Sequence, residues 1–241
     1  MMGRTIAAVI TAAGASTRMG GIKKEYRPLG DGSTDSTGKP LTVLGSAVFA
    51  FASCPEIDYI VVTVPANPDT GEIQARASLP NEMGTLDRKP NILFVPGSDT
   101  RRGSVHHGLT LLKAYNVDYV LIHDGARPWV TPELIQKITR EVLKRQAVIP
   151  VIPLVETPKE IDDSGRISQH LRRTHIVTAQ TPQAFAFAPI LAAHEQAAGE
   201  ELALGREFTD DAEVWGHFIG PVYTILGDIQ NKKITFPEDL P

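Results

Sequence analysis

Short β-rich apolar runs recur along the 241 residues of this chain and alternate with segments of helical pattern. The runs occupy Ile6–Thr11, Tyr59–Val64, Ile92–Val95, Tyr119–His123, Ala147–Val155 and Val222–Leu226. Helices are predicted between most of them, at Val43–Ala52, Ser104–Lys113, Pro132–Lys144, Pro189–Ala198 and Asp210–His217, the last with Thr209 as its N-cap. This alternation indicates an α/β fold on a mostly parallel sheet, and the length suits a single domain over residues 1–241.

Two segments interrupt the alternation. Residues 154–178 are polar and contain a turn at Asp162–Gly165, which predicts a β-hairpin arm that protrudes from the sheet. Because such an arm is too polar to be core, we expect it to lean on a partner. The small, polar segment Gly30–Gly38 is expected to be a mobile surface loop or an extended hairpin turn, and a tolerated insertion is favoured over a lid.

The first apolar run ends in the small residues Ala12–Gly14, and the turn that follows carries Arg18, Lys23 and Lys24. Small residues let a ligand lie against the backbone, while unpaired N–H groups and cationic side chains attract phosphate. The spacing fits neither the G-x-G-x-x-G fingerprint nor the Walker A loop. We therefore predict a polyphosphate site. The alternative is an ordinary glycine-rich turn between a strand and a helix, whose basic side chains are merely solvated.

Composition excludes several classes of partner. A net charge of -4 and an isoelectric point near 6.0 argue against a general nucleic-acid or membrane-surface binder. No apolar stretch approaches the length of a membrane span, and Met1–Thr5 contains no signal-peptide core. The single cysteine, Cys54, cannot form an internal disulfide and is expected to be a small buried residue after a helix. We expect a cytoplasmic protein.

The residues after two later apolar runs also suit ligand binding, because ligands of α/β sheets lie beyond the carboxyl ends of the strands. Pro96–Leu109 is predicted to be a turn into a helix whose first amides can meet a base or a phosphate. In His123–Pro128, Asp124 and Arg127 are three residues apart. They either hold a polyol hydroxyl and a phosphate respectively or form an ion pair with each other.

Metal binding by the protein itself is not indicated. The seven histidines include no pair with convincing metal-ligand spacing on a shared element. The pair Asp210 and Asp211 could be a metal site, but acids at the N-terminus of a helix more often cap it. We favour the cap.

Eight strings in order between Ala12 and Leu240 resemble the 2-C-methyl-D-erythritol 4-phosphate cytidylyltransferase family. They are A-A-G-x-x-x-R-M-G, K-E-Y, V-P-G-S-D-x-R-x-x-S-V-x-x-G-L, H-D-G-A-R-P, P-x-x-E-T-x-K, T-P-Q, T-D-D-A and N-K-K-I-T-x-P-E-D-L. The resemblance implies a Rossmann-like nucleotidyltransferase sheet and transfer of CMP from CTP to a polyol phosphate, with release of pyrophosphate, in non-mevalonate isoprenoid biosynthesis. It also implies Mg²⁺, held largely by the phosphates with Asp124 as the nearest protein candidate, and a homodimer that exchanges its arms.

The resemblance assigns roles by position. Implied catalytic residues are Arg18, Lys24, Arg173 and Lys233. Implied contacts to cytosine and ribose are Ala12, Ala13, Gly14, Gly97, Asp99 and Ser104, and implied contacts to the polyol phosphate are Asp124, Arg127, Thr157, Thr181 and Lys233. Thr157 and Arg173 would reach the neighbouring subunit's site on the arm. Arg18 and Lys24 would neutralise the charge that develops at the α-phosphorus.

Some positions depart from the family pattern. Glu25 stands where glutamine is usual, and the loop from Arg18 to Lys24 is one residue short, so Lys23 competes with Lys24 for the catalytic role. Ser98 replaces a common glycine. Two other functions remain open from the sequence: a ribitol 5-phosphate cytidylyltransferase, and a non-catalytic regulator that binds nucleotide.

Overall fold

An eight-stranded mixed sheet forms the centre of the structure, a computed structural model that describes residues 3–14, 16, 23–67 and 70–240. The strands are β1 (Ile6–Thr11), β2 (Tyr59–Val64), β3 (Asn91–Pro96), β4 (Tyr119–Asp124), β5 (Ala147–Pro153), β6 (Lys159–Ile161), β7 (Ile167–His170), β8 (Val177–Ala179), β9 (Gln183–Ala186) and β10 (Tyr223–Leu226). The helices are α1 (Val43–Ala52), α2 (Gly71–Ser78), α3 (Arg101–Leu112), α4 (Pro132–Arg145), α5 (Phe187–Leu204) and α6 (Asp211–Phe218).

Most neighbours in the sheet run parallel. The order is β10-β5-β9-β4-β1-β2-β3, in which β9 is antiparallel to β4 and β5, and β8 adds to β5 in antiparallel fashion. The register pairs Thr11 with Thr63 on one side and with Asp124 on the other. The carboxyl ends of β1, β2 and β4 therefore meet at one edge of the sheet, and the predicted mostly parallel α/β fold is confirmed.

Helices cover both faces of this sheet, which explains why β1 and β4 are apolar on both sides. One buried cluster contains Ile135 and Ile138 of α4, and the cluster on the opposite face contains Val105 and Leu109 of α3. Helix α4 begins as the sequence predicts: the Thr131 side chain accepts a hydrogen bond from the backbone N–H of Leu134, and proline fills the first helical position. The packed helices fix where each strand end lies.

The two irregular segments are both hairpins. Strands β6 and β7 form a separate antiparallel ribbon, and every residue in them is exposed. This ribbon belongs to the predicted arm, which leaves the sheet after β5 and returns at β8. In the insertion, Asp35 accepts hydrogen bonds from the backbone of Thr37, Lys39 and Asn81, and Thr34 bridges to Pro40. Of the two forms expected for Gly30–Gly38, the extended hairpin turn is the one present.

Several predicted boundaries were wrong. Strand β5 ends two residues earlier than predicted, α3 begins three residues earlier behind the cap Thr100, and α5 extends six residues further. Asp210, not Thr209, is the N-cap of α6, because its carboxylate accepts from the backbone N–H of Glu213 at 2.8 Å. Among the described helices, none is long and apolar enough to cross a membrane.

Candidate active site

A cavity of about 710 Å³ opens at the edge where the parallel strands end. Its walls come from the loops after β1, β2, β3 and β4 and from a C-terminal segment near Lys233. The described residues that line it are Thr11, Ala13, Gly14, Ser16, Lys23, Lys24, Glu25, Pro65, Ala66, Gly97, Ser98, Asp99, Thr100, Arg101, Ser104, Asp124, Ala126, Lys233 and Thr235. The space is large enough for a ligand of nucleotide size.

The loops after β1 and β3 approach each other closely at Gly97. A Cβ atom on this glycine would lie 2.2 Å from the Cβ of Ala13 and 2.9 Å from the Ser104 hydroxyl oxygen. The backbone N–H of Gly97 donates to the Val64 carbonyl at 2.8 Å, which ties the β3 loop to the end of β2. Glycine is therefore required here by packing, independently of any ligand. By contrast, a Cβ on Gly14 would meet no atom within 4 Å.

Ser104 organises the turn at the start of α3. Its hydroxyl accepts from the backbone N–H of Ser98 at 2.9 Å and donates to the Thr100 carbonyl at 2.9 Å. The Thr100 side chain in turn accepts from the backbone N–H of Gly103. These bonds fix the turn that carries the exposed Asp99 into the cavity.

The two lysines of the first loop occupy different positions. Lys23 Nζ donates to the carbonyl oxygens of Ala13 and Gly14, at 3.1 and 2.6 Å. Lys24 lies in a short 3-10 turn, is 7% exposed and lines the cavity. The neighbouring Glu25 is also buried and accepts from the Ser16 hydroxyl at 3.2 Å, and burial raises the pKa of its carboxyl group.

Asp124 is the electrostatic centre of the opposite wall. Arg101 Nε lies 2.9 Å from its Oδ1, and Lys233 Nζ lies 2.8 Å from its Oδ2. Arg127 Nε is farther, at 3.7 Å. Although burial alone would raise it, the pKa of Asp124 is held well below its ordinary value because three cations surround the carboxylate. The ion pair between Asp124 and Arg127 that the sequence left open is thus the weakest of three.

A second layer supports Asp124 from behind. The Thr181 hydroxyl accepts from the backbone N–H of Asp124 at 3.1 Å and pairs with His123 Nδ1 at 3.0 Å. Arg127 Nη1 donates to the Asn231 carbonyl, and the Asn231 amide donates to the Thr181 carbonyl. This network ties the end of β4 to the segment that carries Lys233.

The structure brings most of the predicted site residues to one place. Those in the cavity wall are Ala13, Gly14, Lys24, Gly97, Asp99, Ser104, Asp124 and Lys233. Ala12, Arg127 and Thr181 lie directly behind it, and Arg18 falls outside the described residues. Thr157 and Arg173 are exposed on the arm and are not among the residues that line this cavity.

Sequence reasoning missed Arg101 as a site residue. It is the first residue of α3 and contributes both to the cavity wall and to the Asp124 cluster. The available signal was the string V-P-G-S-D-x-R-x-x-S-V-x-x-G-L, in which Arg101 is the arginine. Its partner Asp124 is 23 residues away in sequence, so the contact itself could not be predicted.

The described residues include no group of three or more His, Cys, Asp or Glu side chains that could hold a metal ion. Both oxygens of Asp124 are already within 3 Å of a cation. A further cation at this carboxylate would be repelled by those groups, so Asp124 does not suit the role of metal ligand in this arrangement.

A mostly parallel sheet with a glycine-lined, lysine-bearing cavity at its carboxyl edge is the architecture of a nucleotide-binding α/β protein. The sequence profile of the 2-C-methyl-D-erythritol 4-phosphate cytidylyltransferase family, IspD, matches residues 6–241. The chain belongs to this family.

Similar proteins agree with that placement. The chain is 37% identical to the bifunctional enzyme IspD/IspF of Bartonella tribocorum over 99% of the chain and 55% of the relative, and 40% identical to that of a Bradyrhizobium species over 97% and 54%. The 4-diphosphocytidyl-2C-methyl-D-erythritol synthase of Anaerococcus prevotii is 30% identical, with a TM-score of 0.78 over 99% of this chain and 93% of that one. The chain thus spans about half the length of the curated relatives it matches.

Proposed function

We propose that the chain transfers CMP from CTP to 2-C-methyl-D-erythritol 4-phosphate in isoprenoid precursor biosynthesis. A phosphate oxygen of the polyol forms a bond to the α-phosphorus, the bond from that phosphorus to the bridging oxygen breaks, and pyrophosphate leaves. The observation that carries the proposal is the placement of the glycine and lysine loop and the Asp124 cluster on facing walls of one cavity. Each wall suits one of the two substrates, and the family match supports methylerythritol phosphate over ribitol phosphate as the acceptor.

The side chains divide the work between the two walls. Lys24, with Arg18, neutralises charge that develops on the triphosphate in the transition state. On the other wall, the Asp124 carboxylate accepts from a polyol hydroxyl, and Lys233 and Arg127 attract the polyol's phosphate. The backbone around Gly14 and Gly97, with Asp99 and Ser104, receives cytosine and ribose.

We also propose that Mg²⁺ enters with CTP. No described cluster of side chains is built to hold it, so the phosphate oxygens and water supply its ligands. Bound in this way, the ion would offset the negative charge of the triphosphate. The residues of the chain orient the nucleotide around it.

The arm supports a further proposal, a homodimer with shared active sites. Four apolar side chains of the arm are exposed in the single chain: Val155 (76%), Ile161 (64%), Ile167 (54%) and Val177 (46%). A second copy of the chain would cover them, and it would receive Thr157 and Arg173 at its own cavity. In this proposal residues 1–241 act as a single nucleotidyltransferase domain in the cytoplasm.

The proposed reaction is tested by pyrophosphate release from CTP with each polyol phosphate in turn, with and without Mg²⁺. We expect turnover with methylerythritol phosphate to exceed that with ribitol 5-phosphate. Equal or faster turnover with ribitol phosphate would assign the other transferase activity. Nucleotide binding without turnover of either polyol phosphate would instead favour a regulator.

A further inference from the structure

Arg101 connects the cavity to a buried pair of side chains that no substrate in the proposed reaction reaches. Its Nε faces Asp124, whereas its Nη1 lies 2.8 Å from Oδ2 of Asp211. The other oxygen of Asp211 lies 3.2 Å from Nε2 of His194. Asp211 and His194 are both completely buried, and neither lines the cavity.

Three helices bring these groups together. Arg101 is the first residue of α3, Asp211 is the first residue of α6, and His194 lies in the middle of α5. The ring of His106 on α3 stacks on His194 with centroids 6.5 Å apart, and Arg102 donates to the His194 carbonyl. His194 is therefore contacted from two sides, and its ring packs against the carboxylate of Asp211.

The division of Arg101 between two carboxylates has a geometric consequence. The donors of a planar guanidinium point in fixed directions, and Nε–H and Nη1 lie on different sides of the group. In Arg101, Nε lies beside Oδ1 of Asp124 while Nη1 lies beside Asp211, so the two carboxylates together fix the plane of the guanidinium. In this orientation Arg101 contacts Oδ1 of Asp124, and Lys233 lies 2.8 Å from Oδ2.

The charges lead to the same conclusion. Within this ion-pair cluster, Arg101, Arg127 and Lys233 supply three positive charges against the two carboxylates of Asp124 and Asp211, which leaves one positive charge in excess. Such an excess suits an incoming phosphate. Burying the carboxylate of Asp211 costs free energy unless cationic partners compensate for it. A buried carboxylate at this place therefore suggests a role in orienting Arg101.

We propose that Asp211, which lies beside His194, is a positioning residue that fixes the orientation of Arg101 at Asp124 and so sets how Asp124 and Lys233 receive the polyol phosphate. The inference deepens the proposed function and rests on it. Asp211 acts through Arg101 and touches no substrate. It should therefore govern the acceptor side of the reaction and leave the nucleotide side unchanged.

The first test is Asp211→Asn beside the matched control Asp210→Asn. Asp210 carries the same carboxylate one residue earlier, but it caps α6 and accepts from the Gln183 amide, without contact to Arg101. In Asp211→Asn we expect KM for the polyol phosphate to rise about tenfold, because misplaced groups at a reacting centre lower rates by such factors. KM for CTP should change less than about twofold. Asp210→Asn should keep the helix cap, since asparagine caps as well as aspartate does, and should leave both KM values near those of the wild type.

A double-mutant cycle tests the route through Arg101. Arg101→Gln should itself raise KM for the polyol phosphate, and adding Asp211→Asn to it should have little further effect, because the group on which Asp211 acts is already absent. The double variant also leaves no unpaired charge at Arg101 or Asp211, so it keeps the test valid if Asp211→Asn alone folds poorly. Independent effects that multiply in the double variant would overturn the proposal.

A structural measurement separates this inference from the proposed reaction. The Arg101 Nε–H signal in an NMR spectrum, assigned by its loss in Arg101→Gln, should be rigid in the wild type and in Asp210→Asn but mobile in Asp211→Asn. An unchanged signal in Asp211→Asn, or a KM for CTP that rises as much as that for the polyol phosphate, would refute the positioning role. Absence of turnover in the wild type would refute the proposed function, while the NMR result would still decide whether Asp211 orients Arg101.

Discussion

The two adjacent lysines of the first loop make a prediction at the scale of single residues. Lys23 holds the carbonyl oxygens of Ala13 and Gly14, whereas Lys24 is buried in the cavity wall. Lys24→Ala should therefore lower kcat by about 10² or more, as loss of a preorganised charge-stabilising group does. Lys23→Ala should chiefly raise KM for CTP, because the loop loses its tether.

Steady-state kinetics with CTP varied at saturating polyol phosphate distinguish the two effects. Arg18→Ala should behave like Lys24→Ala, since the family resemblance gives both residues the same role. If Lys23→Ala proves inactive while Lys24→Ala stays near wild type, then the assignment of the catalytic lysine is wrong by one residue. Circular dichroism of each variant serves as the control for folding.

His123 gives a second prediction at this scale, on stability. Its ring is fully buried between Thr181 and the Arg127 carbonyl, and burial lowers its pKa from 6.5 to about 4. Because the unfolded chain binds a proton more readily, the contribution of His123 to stability should fall as pH drops from 6.5 to about 4 and then level off. The loss due to this residue is of the order of 3 kcal/mol.

Urea unfolding at a series of pH values, for wild type and His123→Asn, isolates this contribution. The variant should be less stable at pH 7, and its stability should depend less on pH across the window. His175→Asn, at an exposed position on the arm, should keep the wild-type profile. The lowered pKa values of Asp124 and Asp211 lie below 3.8, whereas Glu25, with a raised pKa, and His106, with a lowered pKa, also titrate in the window. The difference between the wild-type and variant curves is therefore the quantity that reports on His123. Parallel curves for wild type and His123→Asn would contradict the prediction.

At the scale of elements, the loops after β1 and β3 supply a matched pair of glycines. Gly97→Ala should destabilise the fold, because its Cβ would collide with Ala13 at 2.2 Å. Gly14→Ala should leave Tm within about 1 °C of wild type, since its Cβ meets open space and a surface change of this kind is small. It should nevertheless weaken CTP binding, because the new methyl group enters the cavity.

Thermal unfolding and calorimetric titration with CTP measure both effects. Loss of affinity without loss of stability in Gly14→Ala would show that the nucleotide approaches this backbone. An unchanged affinity would place the nucleotide elsewhere in the cavity. Gly97→Ala provides the contrast, since it should change both quantities together.

The helices and strands also show which parts of the fold can be predicted from the sequence and which cannot. The helix was predicted to end at Ala198, directly before Gly199, yet α5 continues through this glycine to Leu204 and ends at Gly205, whose φ is 65°. A single glycine costs only about 1 kcal/mol in a helix, and tertiary packing outweighs it. Helix α2 was missed because it is short and polar and buries only Gly71, Ala75 and Ser78. The three- and four-residue strands β8 and β9 are too short to show a period.

At the scale of the whole molecule, the strand ends were the most informative part of the sequence. The rule that ligands lie beyond the carboxyl ends of parallel strands predicts that Gly14, Gly97 and Asp124 lie close together, and all three line one cavity. The links that complete the site join distant segments, such as Arg101 to Asp211 and Thr181 to Asp124. No periodicity or local motif encodes such pairs, and only the packed fold reveals them.

The arm yields the prediction that concerns the assembly. Arg173 lies on the exposed arm and Lys233 in the cavity, so in a dimer with exchanged arms each site would take these two residues from different chains. Homodimers of Arg173→Ala and of Lys233→Ala should both be nearly inactive. In a heterodimer of the two, one site receives both lesions and the other receives none. Each heterodimer should therefore recover about half of wild-type activity, as expected for isologous exchange.

The experiment mixes differently tagged chains after mild denaturation, purifies the heterodimer through both tags and measures pyrophosphate release. Mixed wild-type chains carrying the same two tags control for losses on refolding. Because the lesions lie in separate elements, restored activity cannot come from either homodimer. A purified heterodimer that stays inactive would mean that Arg173 serves the site of its own chain, and the arm would then act as an intrachain lid over the cavity.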